Sequence, residues 1–488
     1  MKKEIPYYKR DKYIFISNLN DVTANEQEPL SLKREGYLLS EYYSSKSNEE
    51  LANYVKIKNN LLISDNGNFS KMKAISKLFE KKGFAILNKA INEESEIGNV
   101  SEFVLNERLE LIKLIEIECK KSMATTNFNT ILENQVYIKP DYIICFEDFN
   151  IPVLMMCGLM HPVFKPKALD VKNYQLQTSE IFNKQIKGDF GQIDSLSQIN
   201  KFKVLHSYDF NSAVQSVEVA NKSKANGYAI SFGGPMKSKR WITSLNMGEK
   251  EITFKEKLPE PYLISTAISL GVNKKLDNKT PVHILGVGTP ILIALFGYLF
   301  NNSKAISIDS TAPFKDAYAG TLYGSKSAFL KMDMYKVAAN CLIENKAYKS
   351  STPFFKRFEK QFPSNWSNLR TELKINKNSS IKSVANLLIE NPSLVEKYIP
   401  FFSKMRSGND EMINILRTSR AGHNYWVLRK ICISVRNRMN DPIKLEKWTE
   451  YQVNRYIKVT SEKWGLAVLE SFRIAKLHNT VKNNERIE

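Results

Sequence analysis

The chain has 488 residues, of which 43% are hydrophobic and 25% charged, which allows two or three ordinary domains or one large barrel and excludes global disorder. Lysine and arginine total 71 against 51 aspartate and glutamate residues, and the net charge of +20 favours nucleic acid or an anionic membrane surface as partner. The five cysteines include no CxxC pair, which argues against a disulfide framework or a cysteine-rich zinc site. Because no apolar leader follows Met1, we expect a cytoplasmic protein.

Eight short apolar runs, most of them ending at polar or glycine turns, are predicted to be buried strands. Segments with helical spacing, such as residues 72–84 and 213–226, lie between most of them. Strands and helices that alternate along a chain indicate a parallel α/β architecture, and we expect a (β/α)8 barrel. The predicted strands are residues 13–17, 61–64, 142–146, 153–157, 203–206, 228–232, 282–285 and 305–308.

Residues 284–300 carry no charge, and their length lies at the lower limit for a membrane span. Gly286, Gly288 and Pro290 interrupt the segment. We therefore predict a buried strand, a glycine turn and a helix that begins near Pro290, and no membrane partner.

The composition of the chain changes after Gly320. Residues 325–348 and 382–470 have helical spacing, whereas residues 349–381 are rich in Ser, Asn, Lys and Pro and are predicted to be an exposed connection. We expect three parts. The barrel comprises residues 1–325 and 415–445, a helical and loop insertion comprises residues 326–414, and a helical tail comprises residues 446–488.

Basic residues cluster within the predicted C-terminal helices, with Tyr425 and Trp426 among them. This mixture suits backbone phosphates and stacked bases, although a solvated helix face has the same pattern. The cluster comprises Lys404, Arg406, Arg417, Arg420, Arg429, Lys430, Arg436 and Arg438.

Ionisable side chains stand at or just after the ends of four predicted strands. In a parallel barrel these ends form the rim that carries catalytic groups. An aspartate after a strand also commonly caps the next helix, so each residue alone has a structural explanation. The residues at this rim are Asp65, Glu147, Asp148, His206 and Asp309.

Six short motifs follow one another between residues 63 and 429. They read ISDNGNFS from Ile63, DYIICFED from Asp141, GYAI with two later glycines from Gly227, HILGVGTP from His283, DSTAP from Asp309, and HN with a later LR from His423. The ordered set resembles the tRNA-guanine transglycosylases, whose corresponding motifs are TDSGGFQ, DIVxxFDE, GYAIGG, LMGVGTP, FDCVxPTR and HNL.

The resemblance implies a mechanism for two of the carboxylates. Asp309 takes the position of the family nucleophile, which attacks C1′ of the target nucleoside and displaces guanine. Asp65 takes the position of the general acid/base that assists the leaving and incoming bases. A second base then displaces Asp309, so two inversions retain the sugar configuration.

The resemblance also implies residues for binding. Glu147 aligns with the aspartate that reads the base edge, Asp148 is the neighbouring candidate, and His206 falls where the family has a base-binding glutamine. The base site would also include Gly233, Gly234, Leu285 and Phe69. Lys315 replaces a family arginine, and we expect the nucleic acid to contact Lys315, Arg417, Arg420, Arg429, Lys430 and Arg436.

The chain departs from the family in three respects. The family zinc site cannot be built without a cysteine triple, and His423 matches only its histidine, so we expect no metal cofactor. The loops after Asp65 and Asp309 differ from the family loops, and a long insertion separates Gly320 from the helix of His423. These departures favour the branch that places 7-deazaguanine bases, of the preQ0 type, in DNA.

Three alternatives remain open at this stage. The first is the same exchange on tRNA, and the second is a non-catalytic relative that binds nucleic acid. The third is a barrel enzyme acting on a phosphorylated small molecule, with Gly286 and Gly288 around the phosphate. For the favoured function, the expected partners are DNA, a 7-deazaguanine base and an accessory protein.

Overall fold

Eight parallel strands form a closed barrel, in which they stand in the order in which they follow one another along the chain. The computed structural model describes residues 13–18, 35–40, 53, 61–165, 168–191, 194–232, 235–237, 240–277, 279–300, 303, 305–324, 328–348, 352–403 and 410–484. The barrel strands are β1 (Tyr13–Asn18), β2 (Gly36–Ser40), β3 (Leu61–Asp65), β4 (Tyr142–Ile144), β5 (Asn200–Leu205), β6 (Gly227–Ser231), β9 (Val282–Leu285) and β10 (Ile306–Asp309).

The predicted barrel is confirmed, but one of its eight strands was assigned wrongly. Residues 153–156 lie in a short helix, of which Cys157 is the C-cap, because buried apolar runs of this length fit either element. The missing strand is β2, whose sequence GYLLS pairs with both β1 and β3.

Side chains alternate between the interior and the outside of the barrel. Ile16, Ile63, Ile144 and Val204 belong to an apolar cluster that fills the interior, together with residues from β2 and β6. The side chains between them face the surrounding helices. A packed interior of this kind leaves the carboxyl ends of the strands as the open rim.

The connection from β3 to β4 is a helical extension of the barrel. It contains α1 (Asn68–Ile97), α2 (Glu102–Ala124) and α3 (Phe128–Tyr137), and α4 (Asn150–Met156) follows β4. Helices α1, α2 and α4 share a hydrophobic core that includes Met72, Ile115 and Val153.

The next helices follow the strands in turn, with one antiparallel hairpin between β6 and β9. The hairpin consists of β7 (Trp241–Asn246) and β8 (Glu251–Pro259). The helices are α5 (Ala168–Lys187), α6 (Phe210–Ala220), α7 (Glu260–Lys275), α8 (Pro290–Leu299) and α9 (Ala312–Tyr318).

The uncharged segment forms the elements predicted for it, since β9 ends at Leu285 and α8 begins at Pro290. All ten residues of α8 are buried among the other elements of the fold. Within the part of the chain that the structure describes, no helix combines the length and apolarity needed to cross a membrane.

Residues 322–402 contain a hydrophobic core of their own, built around Met334, Leu342, Trp366 and Leu388. The predicted exposed connection over residues 349–381 is wrong, because most of it is a helix that Thr352 caps. The elements are β11 (Thr321–Tyr323), β12 (Lys331–Asp333), α10 (Met334–Glu344), α11 (Pro353–Glu372), α12 (Ile381–Glu390) and α13 (Pro392–Tyr398).

Three long helices follow: α14 (Asp410–Arg436), α15 (Pro442–Ile457) and α16 (Glu462–Asn484). Helix α14 packs against β1, α8 and α9. Residues of α15 and α16 belong to the same hydrophobic cluster as the outer face of the barrel, and Tyr298 donates a 2.9 Å hydrogen bond to Glu446. The C-terminal helices are therefore packed on the barrel.

Candidate active site

Three carboxylates meet at the carboxyl-terminal rim of the barrel. Asp65 is the last residue of β3, Asp309 is the last residue of β10, and Glu147 lies just beyond β4. The charges of Asp309 and Glu147 both act on Asp65, so the three groups share one site. His206, which follows β5, joins them through its contact with Glu147.

One oxygen of Asp309 has a backbone hydrogen-bond donor on one side and an imidazole nitrogen close to it on the other. The backbone N–H of Gly286 donates a 3.2 Å hydrogen bond to Oδ1, and His283 Nε2 lies 3.4 Å from the same atom. Asp309 itself is only 8% exposed. The carboxylate is thus fixed through Oδ1.

His283 lies inside the barrel, below Asp309, and is fully buried. Its Nδ1 atom is 2.8 Å from the hydroxyl of Ser307, its direct partner in the register of β9 and β10. The ring of Phe202 lies beside the imidazole, with ring centroids 5.8 Å apart. Ser307, His283 and Asp309 therefore form a polar column in an otherwise apolar interior.

Two glycines shape the loop after β9. Gly286 has a φ of +74°, in the left-handed region that favours glycine, and its N–H is directed at Asp309. At Gly288 a Cβ atom would lie 2.7 Å from both Ala312 Cβ and Ser310 Oγ. The loop therefore needs glycine at position 288 to pack against the chain that follows Asp309.

The pKa of Asp65 is raised to about 6, first by burial and then by the negative charges of Asp309 and Glu147. Hydrogen bonds from the backbone N–H groups of Asn66 and Gly67 oppose this shift. Asn66 is buried and donates a 2.8 Å hydrogen bond to the carbonyl of Cys145, which ties the loop after β3 to β4. A carboxyl group with this pKa can take up and release a proton near neutral pH.

Glu147 and His206 form a buried pair. His206 Nε2 contacts Glu147 Oε2, and the two side chains are 5% and 7% exposed. The carbonyl of His206 accepts hydrogen bonds from Gln175 at 2.6 Å and Ser216 at 2.7 Å, so the backbone beneath the imidazole is also fixed. The contact with His206 involves only one oxygen of the Glu147 carboxylate.

Asp148 has a structural explanation of the kind expected for a carboxylate after a strand. Its Oδ1 accepts a 2.8 Å hydrogen bond from the backbone N–H of Asn150, in the first turn of α4. Burial raises the pKa of Asp148 to about 6 despite this hydrogen bond. Within the candidate base-binding set, Glu147 is thus better placed than Asp148 to meet a ligand.

Helix α14 holds the chain that follows Asp309. Asn424 is fully buried, accepts a 2.8 Å hydrogen bond from the N–H of Tyr323, and donates to the carbonyls of Pro313 and Thr321 at 3.0 and 3.1 Å. The hydroxyl of Tyr425 donates to the carbonyl of Ser310 at 3.4 Å. These contacts fasten both ends of the segment that leads from the nucleophile candidate.

The other residues predicted to contact the base or the nucleic-acid backbone lie at different places around the site. Leu285 is partly exposed at the end of β9, and Phe69 is 50% exposed in the first turn of α1. Lys315 is exposed on α9, six residues after Asp309. Gly233 and Gly234 lie outside the described residues.

Three of the basic residues predicted to contact nucleic acid do not form an exposed surface. Arg420 is buried and donates a 3.0 Å hydrogen bond to the carbonyl of Ser403. Arg429 and Arg436 pair with Glu35 at 2.9 and 3.2 Å. Because Glu35 precedes β2, this pairing lies at the amino-terminal end of the barrel, opposite the site. These three arginines therefore make contacts within the protein, and their contact with nucleic acid stays a prediction.

The other two residues of that set have different outcomes. Lys430 is exposed, and its Nζ lies 5.1 Å from the centroid of the Trp426 ring. The side chain of Arg417 lies outside the described residues.

The family zinc site does not fit this chain. His423 Nε2 is 2.7 Å from the carbonyl oxygen of Tyr323, and burial lowers the pKa of the imidazole to about 4. No group of three or more His, Cys, Asp or Glu side chains suited to a metal occurs among the residues described. His423 instead holds the same segment as Asn424.

His283 and Ser307 were not among the candidates from the sequence. The two-residue period of a strand could have identified both. His283 lies two positions before Leu285 and Ser307 two positions before Asp309, so each side chain faces the same side of its strand as the rim residue.

Neither protein-family models nor curated protein sequences match this chain.

Proposed function

We propose that the protein is a guanine transglycosylase, which exchanges guanine for a 7-deazaguanine base in DNA through a covalent bond between Asp309 and C1′. The observation that carries this proposal is the meeting of Asp65, Glu147 and Asp309 at one rim, with Asp309 held through Oδ1. The resemblance of the six motifs to the tRNA-guanine transglycosylases supplies the reaction class, and residues 326–414 would be an insertion in that barrel.

In the first step Oδ2 of Asp309 attacks C1′, and the bond from C1′ to N9 of guanine breaks with its electron pair on the base. Oδ2 is suited to this role because Gly286 and His283 engage Oδ1. Protonated Asp65 supplies the proton that the departing guanine needs. Its raised pKa keeps part of the population protonated near neutral pH.

In the second step the incoming base loses its N9 proton to the Asp65 carboxylate and attacks C1′. The bond between C1′ and Asp309 Oδ2 breaks, and the electron pair returns to the carboxylate. Protons and charges balance over the two steps, so the exchange needs no other reactant.

Base recognition is assigned to Glu147 and the side chains around it. His206 engages Oε2, which leaves Oε1 to accept the adjacent N–H donors on the edge of guanine and its 7-deaza analogues. Leu285 offers apolar surface for a face of the base. The target nucleotide must leave its stack to reach this position.

The choice of DNA over tRNA rests on the divergent loops and the insertion, and the tRNA reaction remains the alternative. A direct test measures the entry of radiolabelled guanine into duplex DNA, single-stranded DNA and tRNA side by side. We expect label in DNA, loss of that label with Asp309→Asn, and normal exchange with Asp189→Asn, which changes an exposed carboxylate.

Each other result has a definite meaning. Label that enters only tRNA would keep the mechanism and replace the substrate. Exchange at the normal rate with Asp309→Asn would refute the nucleophile. Binding of nucleic acid without any exchange, also in the presence of a cell extract that supplies accessory proteins, would favour the non-catalytic alternative.

A further inference from the structure

The solvent face of α1 carries a row of lysines that begins beside the site. Lys73, Lys77 and Lys81 follow one another at four-residue spacing, and all three side chains are exposed. Four residues advance a helix by about 6 Å and slightly more than one turn, so the three ammonium groups lie along one side of α1. We call these three residues the lysine row.

The lysine row starts close to the candidate catalytic residues. Helix α1 begins at Asn68, three residues after Asp65, and Phe69 in its first turn is 50% exposed. The opposite side of α1, which includes Met72 and Ile75, packs in the core shared with α2 and α4. One face of the helix is therefore fixed, and the other leads from the barrel rim over Phe69 to the lysines.

The lysines of this row differ from other lysines of the same helical extension. Lys89 pairs with Glu107 at 2.9 Å, and Lys113 pairs with Glu110 at 2.7 Å. Within the described part of the chain, the lysine row forms no ion pair. Residues 68–84 contain five lysines and a single acidic residue, Glu80. The positive charge of this face is thus largely uncompensated.

We propose that the lysine row binds the phosphate backbone of the strand whose nucleotide enters the site, and that Phe69 stacks on a neighbouring base. A track of cations beside an exposed aromatic ring is the arrangement that binds unpaired strands without sequence preference. The identity of the strand as the substrate rests on the proposed function. This surface replaces the three arginines of α14, which are buried or paired with Glu35.

The experiment measures binding, so it does not depend on base exchange. The full chain with Asp309→Asn is titrated against a fluorescent single-stranded DNA of thirty nucleotides at several salt concentrations. One variant adds Lys73→Gln, Lys77→Gln and Lys81→Gln. The control adds Lys113→Gln, Lys120→Gln and Lys121→Gln on α2, which removes the same charge from the same extension.

We expect the lysine-row variant to bind more weakly and to lose about two units from the slope of log K against log salt, since each neutralised phosphate of a single strand contributes about 0.7. The control should keep most of the slope. Phe69→Ala should weaken binding about tenfold at an unchanged slope, because stacking releases no counterions. Thermal unfolding of each variant verifies that it is folded.

An equal loss of slope in the lysine-row variant and the control would overturn the proposal, because the effect would then be one of net charge. If the lysine-row variant keeps its DNA binding but no longer binds phosphatidylserine vesicles, the row belongs to a membrane surface and the proposal is overturned as well. A specific loss of DNA binding in a protein that exchanges no base would support the row and reject the proposed function separately.

Discussion

The imidazole of His283 and the hydroxyl of Ser307 are 2.8 Å apart in the interior of the barrel, one layer below the rim. If the hydroxyl donates to Nδ1, the neutral ring carries its proton on Nε2, which faces Asp309 Oδ1 at 3.4 Å. Ser307 then sets the tautomer, and His283 acts as a positioning residue for the nucleophile. This arrangement also distinguishes the two oxygens of Asp309.

His283→Leu should therefore lower kcat of base exchange by about tenfold to a hundredfold, because a misplaced nucleophile loses its near-attack geometry. KM for DNA should stay nearly constant, since the imidazole is too deep to touch the strand. His283→Gln keeps an N–H donor and should recover part of the rate. Initial rates at varied DNA concentration separate kcat from KM.

Equal rates for His283→Leu and His283→Gln would show that the residue only fills space. Ser307→Ala is the matched test of the tautomer, and we expect it to reduce kcat by less than His283→Leu does.

Asp65→Asn should stabilise the protein at neutral pH. The pKa of Asp65 rises from 3.8 in the unfolded chain to about 6 in the fold, so its ionisation opposes folding. The penalty is absent below about pH 4, grows between pH 4 and 6, and is complete above that range, at about 3 kcal/mol before solvent screening is subtracted. The difference in Tm between variant and wild type should grow over the same interval.

Asp189→Asn serves as the control, because that side chain is exposed, and its Tm should follow the wild type at every pH. A second control uses the coupling between the carboxylates. In an Asp309→Asn background one of the charges acting on Asp65 is gone, so Asp65→Asn should stabilise less. A Tm difference that stays constant from pH 4 to pH 7 would contradict a coupled Asp65 carboxylate with a raised pKa.

The barrel was predictable because strands buried on both faces appear as continuous apolar runs, and seven of these runs lie in the barrel strands. The exceptions have physical causes. Residues 153–157 are apolar enough to be buried in either state, and only packing against α1 and α2 selects the helix. The strand at Gly36 is short and begins with glycine, so its pattern is weak.

The site was predictable where position along the chain determines it. Asp65 and Asp309 end their strands, and parallel strands bring those ends to one rim. Charge clusters were less informative, because sequence does not reveal which arginines find a carboxylate. Glu35 pairs with both Arg429 and Arg436 from about 400 residues away, and only the tertiary fold creates these pairs.

Asn424→Ala should destabilise the protein by about 2–4 kcal/mol, because it leaves the N–H of Tyr323 and the carbonyls of Pro313 and Thr321 without their partner in the interior. Asn437→Ala, on an exposed position just after α14, should change Tm by less than one degree as the control. Thermal unfolding gives the shift, and limited proteolysis after residue 309 should be faster in Asn424→Ala. Equal Tm values for the two variants would contradict the holding role of Asn424.

Glu147→Gln should impair recognition of the base and leave binding of the strand intact. The substitution replaces one carboxylate oxygen by an N–H₂ group, which cannot accept a hydrogen bond. This group faces either His206 or the N–H donors of the incoming base, so one of these two contacts is lost. A site built to accept hydrogen bonds discriminates strongly once a partner is lost, so KM for the free base should rise by about tenfold to a hundredfold. Asp148→Asn is the matched control, since that carboxyl group accepts the backbone N–H of Asn150 at the start of α4 and should affect stability more than KM. Initial rates at varied concentration of free guanine give KM, and anisotropy with labelled DNA gives strand affinity. A rise in KM with Asp148→Asn and none with Glu147→Gln would transfer base recognition to the neighbouring carboxylate.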